Sequence, residues 1–212
     1  MGTLLNRRRY MGNSGGELPA GYRLCEYIQS DGRNYINTGI LPDNTIEYDV
    51  TFSTNNKIDS NGYGCIFGCR YGSGNNDFQV TTYTANARVN KGTVRFGGNS
   101  QDNVRSAGIV LNTKLTASLH GLVYTCNDST LNLDTYNWNN TRNIYLFGLN
   151  NNNSFAQSGQ GCIIYSAKFK LSGNLVRDYI PVQRISDDKY GFYDMVNKTF
   201  NISPNSIDFS GG

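Results

Sequence analysis

The sequence predicts an all-β protein built from two antiparallel sheets packed as a sandwich. Three observations favour this fold. Apolar and polar residues alternate with period two in many short runs, as expected for strands with one buried face. Segments rich in Asn and Gly, which tolerate positive φ in tight turns, separate these runs. Long helical periodicity is absent, so no helix is predicted.

The last fifty residues carry the clearest strand signals. An alternating run at 162–171 is followed by Ser172-Gly173-Asn174 and a second apolar-rich run at 175–182. Two such runs joined by a short Gly-containing turn predict a β-hairpin. A second hairpin is predicted from residues 190–196 and 198–200. The chain is therefore expected to end as antiparallel sheet.

Earlier strands are predicted wherever the same alternation recurs at short spacing. Such spacing without crossover helices is typical of sandwiches. The predicted strands cover residues 25–29, 35–38, 45–53, 63–70, 78–84, 93–97, 114–125, 131–134 and 143–149. Side chains at the inward phase of these runs should form the core between the sheets. Five of them are Phe67, Phe147, Ile164, Phe169 and Tyr179.

Length, charge and cysteine content favour one folded domain, residues 17–212, preceded by a short extended arm at residues 1–16. A chain of 212 residues can bury a core as a single sandwich. We expect neither a secretory signal nor a membrane span, because no apolar run has the required length. A net charge of +3 offers no broad basic face for nucleic acid. Five cysteines in apolar strand contexts predict buried thiols in a reducing compartment.

Both ends of this domain carry a family resemblance. The closing segments GCIIYSAKFKLSGNLVRDYIPVQR, GFYDMVNKTF and FSGG, and the opening segment LPAGYRLCEYIQSDGRNYINTGILPDNTIEYDVTF, resemble the concanavalin A-like, or laminin-G-like, jelly rolls of gut Bacteroides and their phages. The resemblance runs from Leu18 to the C-terminus and implies a jelly-roll sandwich. It is specific for fold and not for function, because this fold serves lectins, glycosidases, adhesion modules and virion proteins.

The amino-terminal arm adds a second resemblance. The string LLNRRRYMG resembles the openings of structural proteins of Bacteroides phages, including crAss-like phages, and a Gly/Ser tether at residues 12–16 joins it to the domain. A tethered arm with apolar, basic and aromatic side chains is suited to docking on a partner. Nucleic-acid binding and a solvated tail are the alternatives. The predicted capsid-docking residues are Leu4, Leu5, Arg7, Arg8, Arg9 and Tyr10.

These resemblances imply a non-enzymatic structural protein of a phage particle, of the capsid-decorating, auxiliary capsid or head-fibre kind. Its partners would be capsid or other virion proteins, with several copies on each particle and homo-oligomers among the arrangements. The particle would be assembled in the bacterial cytoplasm. The alternative is a lectin-like adhesion module that binds surface glycans.

The glycan alternative depends on one polar loop that contains the only Trp of the chain. An exposed indole flanked by amides could stack on a sugar face and hydrogen-bond its hydroxyls. The competing interpretation has this Trp folded back over the edge of the sandwich. The residues assigned to this loop are Tyr136, Trp138, Asn139 and Arg142.

Catalysis and metal binding are not expected. A retaining glycosidase needs two carboxylates about 5–5.5 Å apart, and the nearest match to the motif of laminarinase-type relatives, residues 47–52, has Thr51 and Phe52 where the second Glu is needed. The single His120 is interpreted as a strand residue. Cys65 and Cys69 are too few ligands for structural zinc. We expect no catalytic residue, no metal and no cofactor.

Overall fold

A computed structural model describes residues 17–55, 63–71, 77–83, 93–97, 105–133, 138–156 and 160–212. These residues form strands, turns and loops, and none of them is helical. The predicted all-β class is therefore confirmed. The arm at residues 1–16 lies outside the described residues.

Nineteen strands are found in this described part of the chain. They are β1 Tyr22–Leu24, β2 Ile28–Gln29, β3 Ile36–Asn37, β4 Glu47–Ser53, β5 Tyr63–Arg70, β6 Phe78–Tyr83, β7 Thr93–Phe96, β8 Arg105–Ser106, β9 Leu115–His120, β10 Val123–Cys126, β11 Ser129–Asn132, β12 Tyr145–Leu146, β13 Leu149–Asn151, β14 Ser154–Ala156, β15 Ile163–Leu171, β16 Asn174–Arg184, β17 Tyr190–Asp194, β18 Thr199–Asn201 and β19 Ser210–Gly211.

The strands form two sheets. The larger sheet runs β11-β10-β9-β4-β15-β16-β17-β18, with β1 paired to β16, β2 to β15 and β19 to β2. The smaller sheet runs β14-β13-β5-β6-β7-β8, with β12 paired to β5 and β3 to β12. Neighbouring strands are antiparallel except for β13 and β5, which are parallel. The prediction of two mostly antiparallel sheets is confirmed, whereas the jelly-roll connectivity stays a prediction.

Both closing hairpins are present. The β15–β16 turn is the pair Ser172-Gly173, with φ of 48° and 76°. Two consecutive residues at positive φ characterise the tight turn whose twist suits a hairpin. The second hairpin pairs β17 with β18. The β16 strand extends to Arg184, two residues beyond its predicted end, because it also pairs with β1.

Three predicted strands are interrupted. The expected strand at 114–125 is the β9–β10 hairpin, which turns at Gly121-Leu122 with Gly121 at φ 57°. The expected strand at 143–149 is divided between β12 and β13, because Phe147 adopts a φ of 67° and breaks the extended path. The segment at 25–29 contributes only β2. Each interruption changes the direction of the chain, and none of them is marked in the sequence by a Pro or an Asn-Gly pair.

The main core lies between the two sheets. All five predicted core residues are buried to 0% exposure. Tyr48 of the larger sheet packs edge-on against Phe67 of the smaller sheet at 4.9 Å between ring centroids, and Phe169 approaches Phe67 at 5.9 Å. Edge-to-face aromatic pairs of this kind add to the stabilisation from buried area. The sheets are therefore joined by an aromatic core.

The five cysteines are free and buried, as predicted. Burial raises the pKa of the Cys65, Cys69 and Cys162 thiols. A register shift between Cys65 and Phe67 interrupts the alternation of β5, and Cys69 packs in the main core cluster. These cysteines fill space as small apolar side chains.

Candidate functional site

The described domain begins with a fixed anchor on the outside of the larger sheet. Leu18 and Tyr22 pack in a second apolar cluster built around Val182 and Tyr193, on the side of the sheet facing away from the main core. The Tyr22 ring lies 5.1 Å from the Tyr193 ring and 5.3 Å from the Phe200 ring. The first described residues therefore lie beside β16, β17 and β18, and the predicted arm would join the domain there.

The loop predicted to bind glycans has its Trp inside the protein. Trp138 is 5% exposed, and its ring lies 6.1 Å from the Phe78 ring and 5.1 Å from the Phe96 ring. Gly97 packs directly against the indole, where any side chain would collide with it. Of the two positions considered for Trp138, the one folded back over the sandwich is confirmed and the exposed one is wrong, because the two rings and Gly97 occupy its faces. Tyr136 lies outside the described residues.

The remaining residues of that loop serve local contacts. Arg142 donates from Nε and Nη2 to Asn152 Oδ1, at 3.0 and 2.6 Å, and its guanidinium lies 4.8 Å from the Tyr71 ring centroid. Asn139 is exposed and forms an isolated bridge with Asp43. The structure does not bring these polar groups together around an accessible indole.

A charged cluster lies on the outer face of the larger sheet, where β4 is flanked by β9 and β15. Ser118 donates a 2.6 Å hydrogen bond to Asp49 Oδ1, and His120 Nε2 lies 2.9 Å from the same oxygen. His120 Nδ1 and Lys170 Nζ each lie 3.7 Å from Glu47 Oε2. His120 is a strand residue, as predicted. Its two carboxylate neighbours come from the register of β4 against β9, which the sequence does not reveal.

The acids of the candidate hydrolase motif belong to this cluster. Glu47 and Asp49 lie two residues apart on β4 and face outward, while Phe52 points into the core at 0% exposure. The next outward residue is Thr51, whose Oγ1 lies 2.9 Å from Thr116 Oγ1 on β9. The position that would continue the row of acids therefore carries a hydroxyl engaged with the neighbouring strand.

A polar cleft, called the rim cleft below, lies where the smaller sheet meets β16 and β18 of the larger sheet. Arg177 is held in place there, because Nε donates to Thr38 O at 2.8 Å and Nη1 donates to Val176 O at 2.7 Å. The cleft has a volume of about 380 Å³. It is lined by Asn37, Thr38, Gly39, Arg177, Asn197, Thr199 and Asn201.

The charge of Arg177 is balanced within the protein. Asp194 Oδ2 lies 3.5 Å from Arg177 Nε, and the Asp194 side chain is buried. Asp194 also accepts hydrogen bonds from the Asp178 N–H at 3.1 Å and from Asn197 Nδ2 at 2.7 Å. Burial raises the pKa of Tyr179 to about 12, a shift that the neighbouring Arg177 partly opposes. The Arg177 guanidinium is therefore held in place in the rim cleft, and Asp194 balances its charge.

Comparison with known proteins gives no assignment. The chain matches no protein-family model, and no curated protein is significantly similar to it. Among the described residues, no helix has the length and apolar character needed to cross a membrane. In the same residues, no three His, Cys, Asp or Glu side chains converge as metal ligands.

Sequence reasoning missed the rim cleft. Its residues come from segments far apart in the chain, as the 139-residue separation between Thr38 and Arg177 illustrates. One local signal was available in Asn197, Thr199 and Asn201, polar residues at alternate positions around a short strand. Alternation shows that these three side chains share one face of the strand. The opposite wall of the cleft comes from the smaller sheet, and its position depends on how the two sheets pack.

Proposed function

We propose that this chain is a non-enzymatic structural protein of a bacteriophage particle, built on a concanavalin A-like jelly roll. It would decorate the capsid, serve as an auxiliary capsid protein or form part of a head fibre. Residues 1–16 would dock on a capsid or other virion protein, and the domain would be displayed outward. Several copies would be carried by each particle, assembled in the bacterial cytoplasm.

The jelly-roll assignment is supported by where the resembling segments lie. The closing segments of the sequence form β15, β16, β17 and β18, which are consecutive neighbours in the larger sheet. In the same sheet, β4 lies between β9 and β15, strands that are distant from it in sequence. Long-range insertion of this kind is typical of Greek-key connections, from which jelly rolls are built.

The observation that carries the structural role is the anchor of the arm. Leu18 and Tyr22 are packed on the outer side of the larger sheet, separate from the main core. The Gly/Ser tether at residues 12–16 would let the arm reach a partner. Packing of Tyr22 against Tyr193 and Phe200 would keep the start of the domain on the sheet beyond that tether.

The chemistry of the outer face supports a role without catalysis. A general acid or nucleophile must have a carboxylate oxygen directed at the substrate. One oxygen of each acid is engaged within the sheet, because Asp49 Oδ1 accepts from Ser118 and Glu47 Oε1 accepts from the Gly121 N–H at 3.1 Å. These contacts are those of a polar sheet surface stabilised by cross-strand pairs.

The proposal is tested by deleting residues 1–16. The truncated domain should keep its melting temperature, because the described residues, which begin at Glu17, already form both apolar clusters. Incorporation into particles should be lost. A matched control replaces residues 1–16 by a Gly/Ser segment of equal length, which should also fail to incorporate. Particles that carry the truncated protein at the normal copy number would overturn the tethering proposal.

A second candidate function, carbohydrate-dependent adhesion, is favoured by the rim cleft. Its lining of amides, two hydroxyls and a guanidinium matches the alternating donors and acceptors of sugar hydroxyls. Glycan-array binding that is lost when the cleft is filled would support this candidate. Trp138 is not a suitable reporter, because replacing a buried indole perturbs the fold itself.

A further inference from the structure

We propose that the rim cleft binds a neutral saccharide unit, held by a pair of adjacent hydroxyls between Arg177 and the amides of Asn197 and Asn201. The inference rests on the carbohydrate-binding candidate and is independent of the virion role. It adds the site, the class of sugar and the residues that recognise it.

The free hydrogen-bonding groups of the cleft are complementary to a diol. Asn37 Oδ1 accepts from the Gly39 N–H at 3.0 Å, which leaves Asn37 Nδ2 as a donor. Asn197 Nδ2 donates to Asp194, and Asn201 Nδ2 donates to Thr199 O at 3.1 Å. The side-chain oxygens of Asn197 and Asn201 therefore remain acceptors. A hydroxyl donates once and accepts twice, so neighbouring hydroxyls can satisfy both kinds of group.

Arg177 is prepared for this role by its surroundings. Two of its nitrogens are committed to Thr38 O and Val176 O, and Nη2 lies beside Gly39 in the lining of the cleft. Gly39, at φ 71°, lets the guanidinium lie close to the backbone, since a Cβ there would be 3.1 Å from Nη2. A donor held in place before binding loses little conformational entropy when the ligand arrives.

Charge favours a neutral ligand over an acidic one. Asp194 already lies 3.5 Å from Arg177 Nε, so the buried carboxylate balances the charge of the partly exposed guanidinium. A ligand carboxylate would place a second anion beside the same guanidinium, next to the acceptor oxygens of Asn197 and Asn201. Desolvating like charges together is costly, whereas hydroxyls leave the pair undisturbed.

The size and composition of the cleft limit the ligand. A volume of about 380 Å³ lies near the lower end of the roughly 300–1,000 Å³ of ligand pockets, which suits a short saccharide. The lining residues contain no aromatic ring. Orientation would come from hydrogen bonds alone, so weak binding is expected for one unit, with avidity supplied by many copies.

The test is a titration of the full chain followed by amide chemical shifts. The probes are the methyl glycosides of glucose, galactose and mannose, with glucuronate as the acidic comparison. At tens of millimolar, at least one neutral glycoside should shift the signals of residues 37–39 and 197–201. Glucuronate should bind more weakly than that glycoside.

Variants locate the site. Arg177→Lys keeps the charge but loses the fixed Nη2 donor, and should weaken binding about tenfold, which a hydrogen bond to a charged group can account for. Arg184→Lys is the matched control on the same strand, because Arg184 is paired with Asp187 outside the cleft. Thr199→Phe fills the cleft at an exposed position and should abolish binding without disturbing Arg177.

Three outcomes would overturn the inference in distinguishable ways. No shift with any neutral glycoside would reject both the cleft and the carbohydrate candidate. Shifts that map elsewhere and survive Arg177→Lys and Thr199→Phe would reject the cleft but leave carbohydrate binding standing. Tighter binding of glucuronate would reject the charge argument for a neutral ligand.

Discussion

Replacing Trp138 by Ala should destabilise the domain severely, because its indole is part of the core. Trp138 is only 5% exposed, and its ring contacts the rings of Phe78 and Phe96. Roughly 150–200 Å² of apolar area beyond Cβ, at about 25 cal/mol per Å², corresponds to about 4–5 kcal/mol. Large-to-small core changes of this type cost about 3–5 kcal/mol, the same range.

The assay is urea unfolding followed by far-ultraviolet circular dichroism, since the variant lacks the only Trp of the chain. Trp138→Phe is the companion variant. It keeps an aromatic ring and removes the buried Nε1–H, which has no hydrogen-bond partner among the described residues, so it should cost only about 1–2 kcal/mol. A Trp138→Ala protein within about 0.5 kcal/mol of the natural one, as surface changes usually are, would refute the buried position.

Three further outcomes are expected. Cys25 is the most exposed cysteine, at 9%. The other four should resist alkylation in the folded protein and react after denaturation. Rapid labelling of all five under native conditions would contradict their burial. Burial raises the pKa of Asp77 despite the opposing Arg95, so the folded state binds this proton more tightly than the unfolded chain. As pH falls through the raised pKa of Asp77 toward the ordinary value of 3.8, the natural protein should gain free energy of unfolding relative to Asp77→Asn. Unfolding curves of the two proteins that show no such trend would contradict the raised pKa. Laminarin, agarose and mixed-linkage glucans should stay intact on long incubation, and release of reducing sugar that disappears in Glu47→Gln would show that the acids of β4 are catalytic.

The parts of the fold that could be predicted are those determined by local sequence. The β15–β16 hairpin follows from period-two alternation and the Ser172-Gly173 turn, both contained in one short segment. The β9–β10 hairpin was predicted as one strand, because Gly121-Leu122 interrupts the alternation for only two residues. Local pattern therefore gave the class and most strands, but not every turn.

The candidate sites depend on contacts that local pattern does not contain. Trp138 has amide-rich neighbours, which left an exposed loop as an alternative to a ring folded over the sandwich edge. Asn139 is exposed, while Trp138 and Asn140 are buried. Which side chains around Trp138 are buried is decided by the residues that pack against this segment, here Phe78 and Phe96. The carboxylates beside His120 likewise depend on strand register, a long-range property.

The most direct test of the virion role is an image of the particle itself. Bacteriophage particles purified from cells that produce this chain would be labelled with an antibody against residues 17–212 and viewed by electron microscopy. The proposal predicts label at regular, repeated positions on the particle surface, and no label on particles assembled with protein lacking residues 1–16. Purified particles without label, with the protein recovered only from the particle-free lysate, would contradict it.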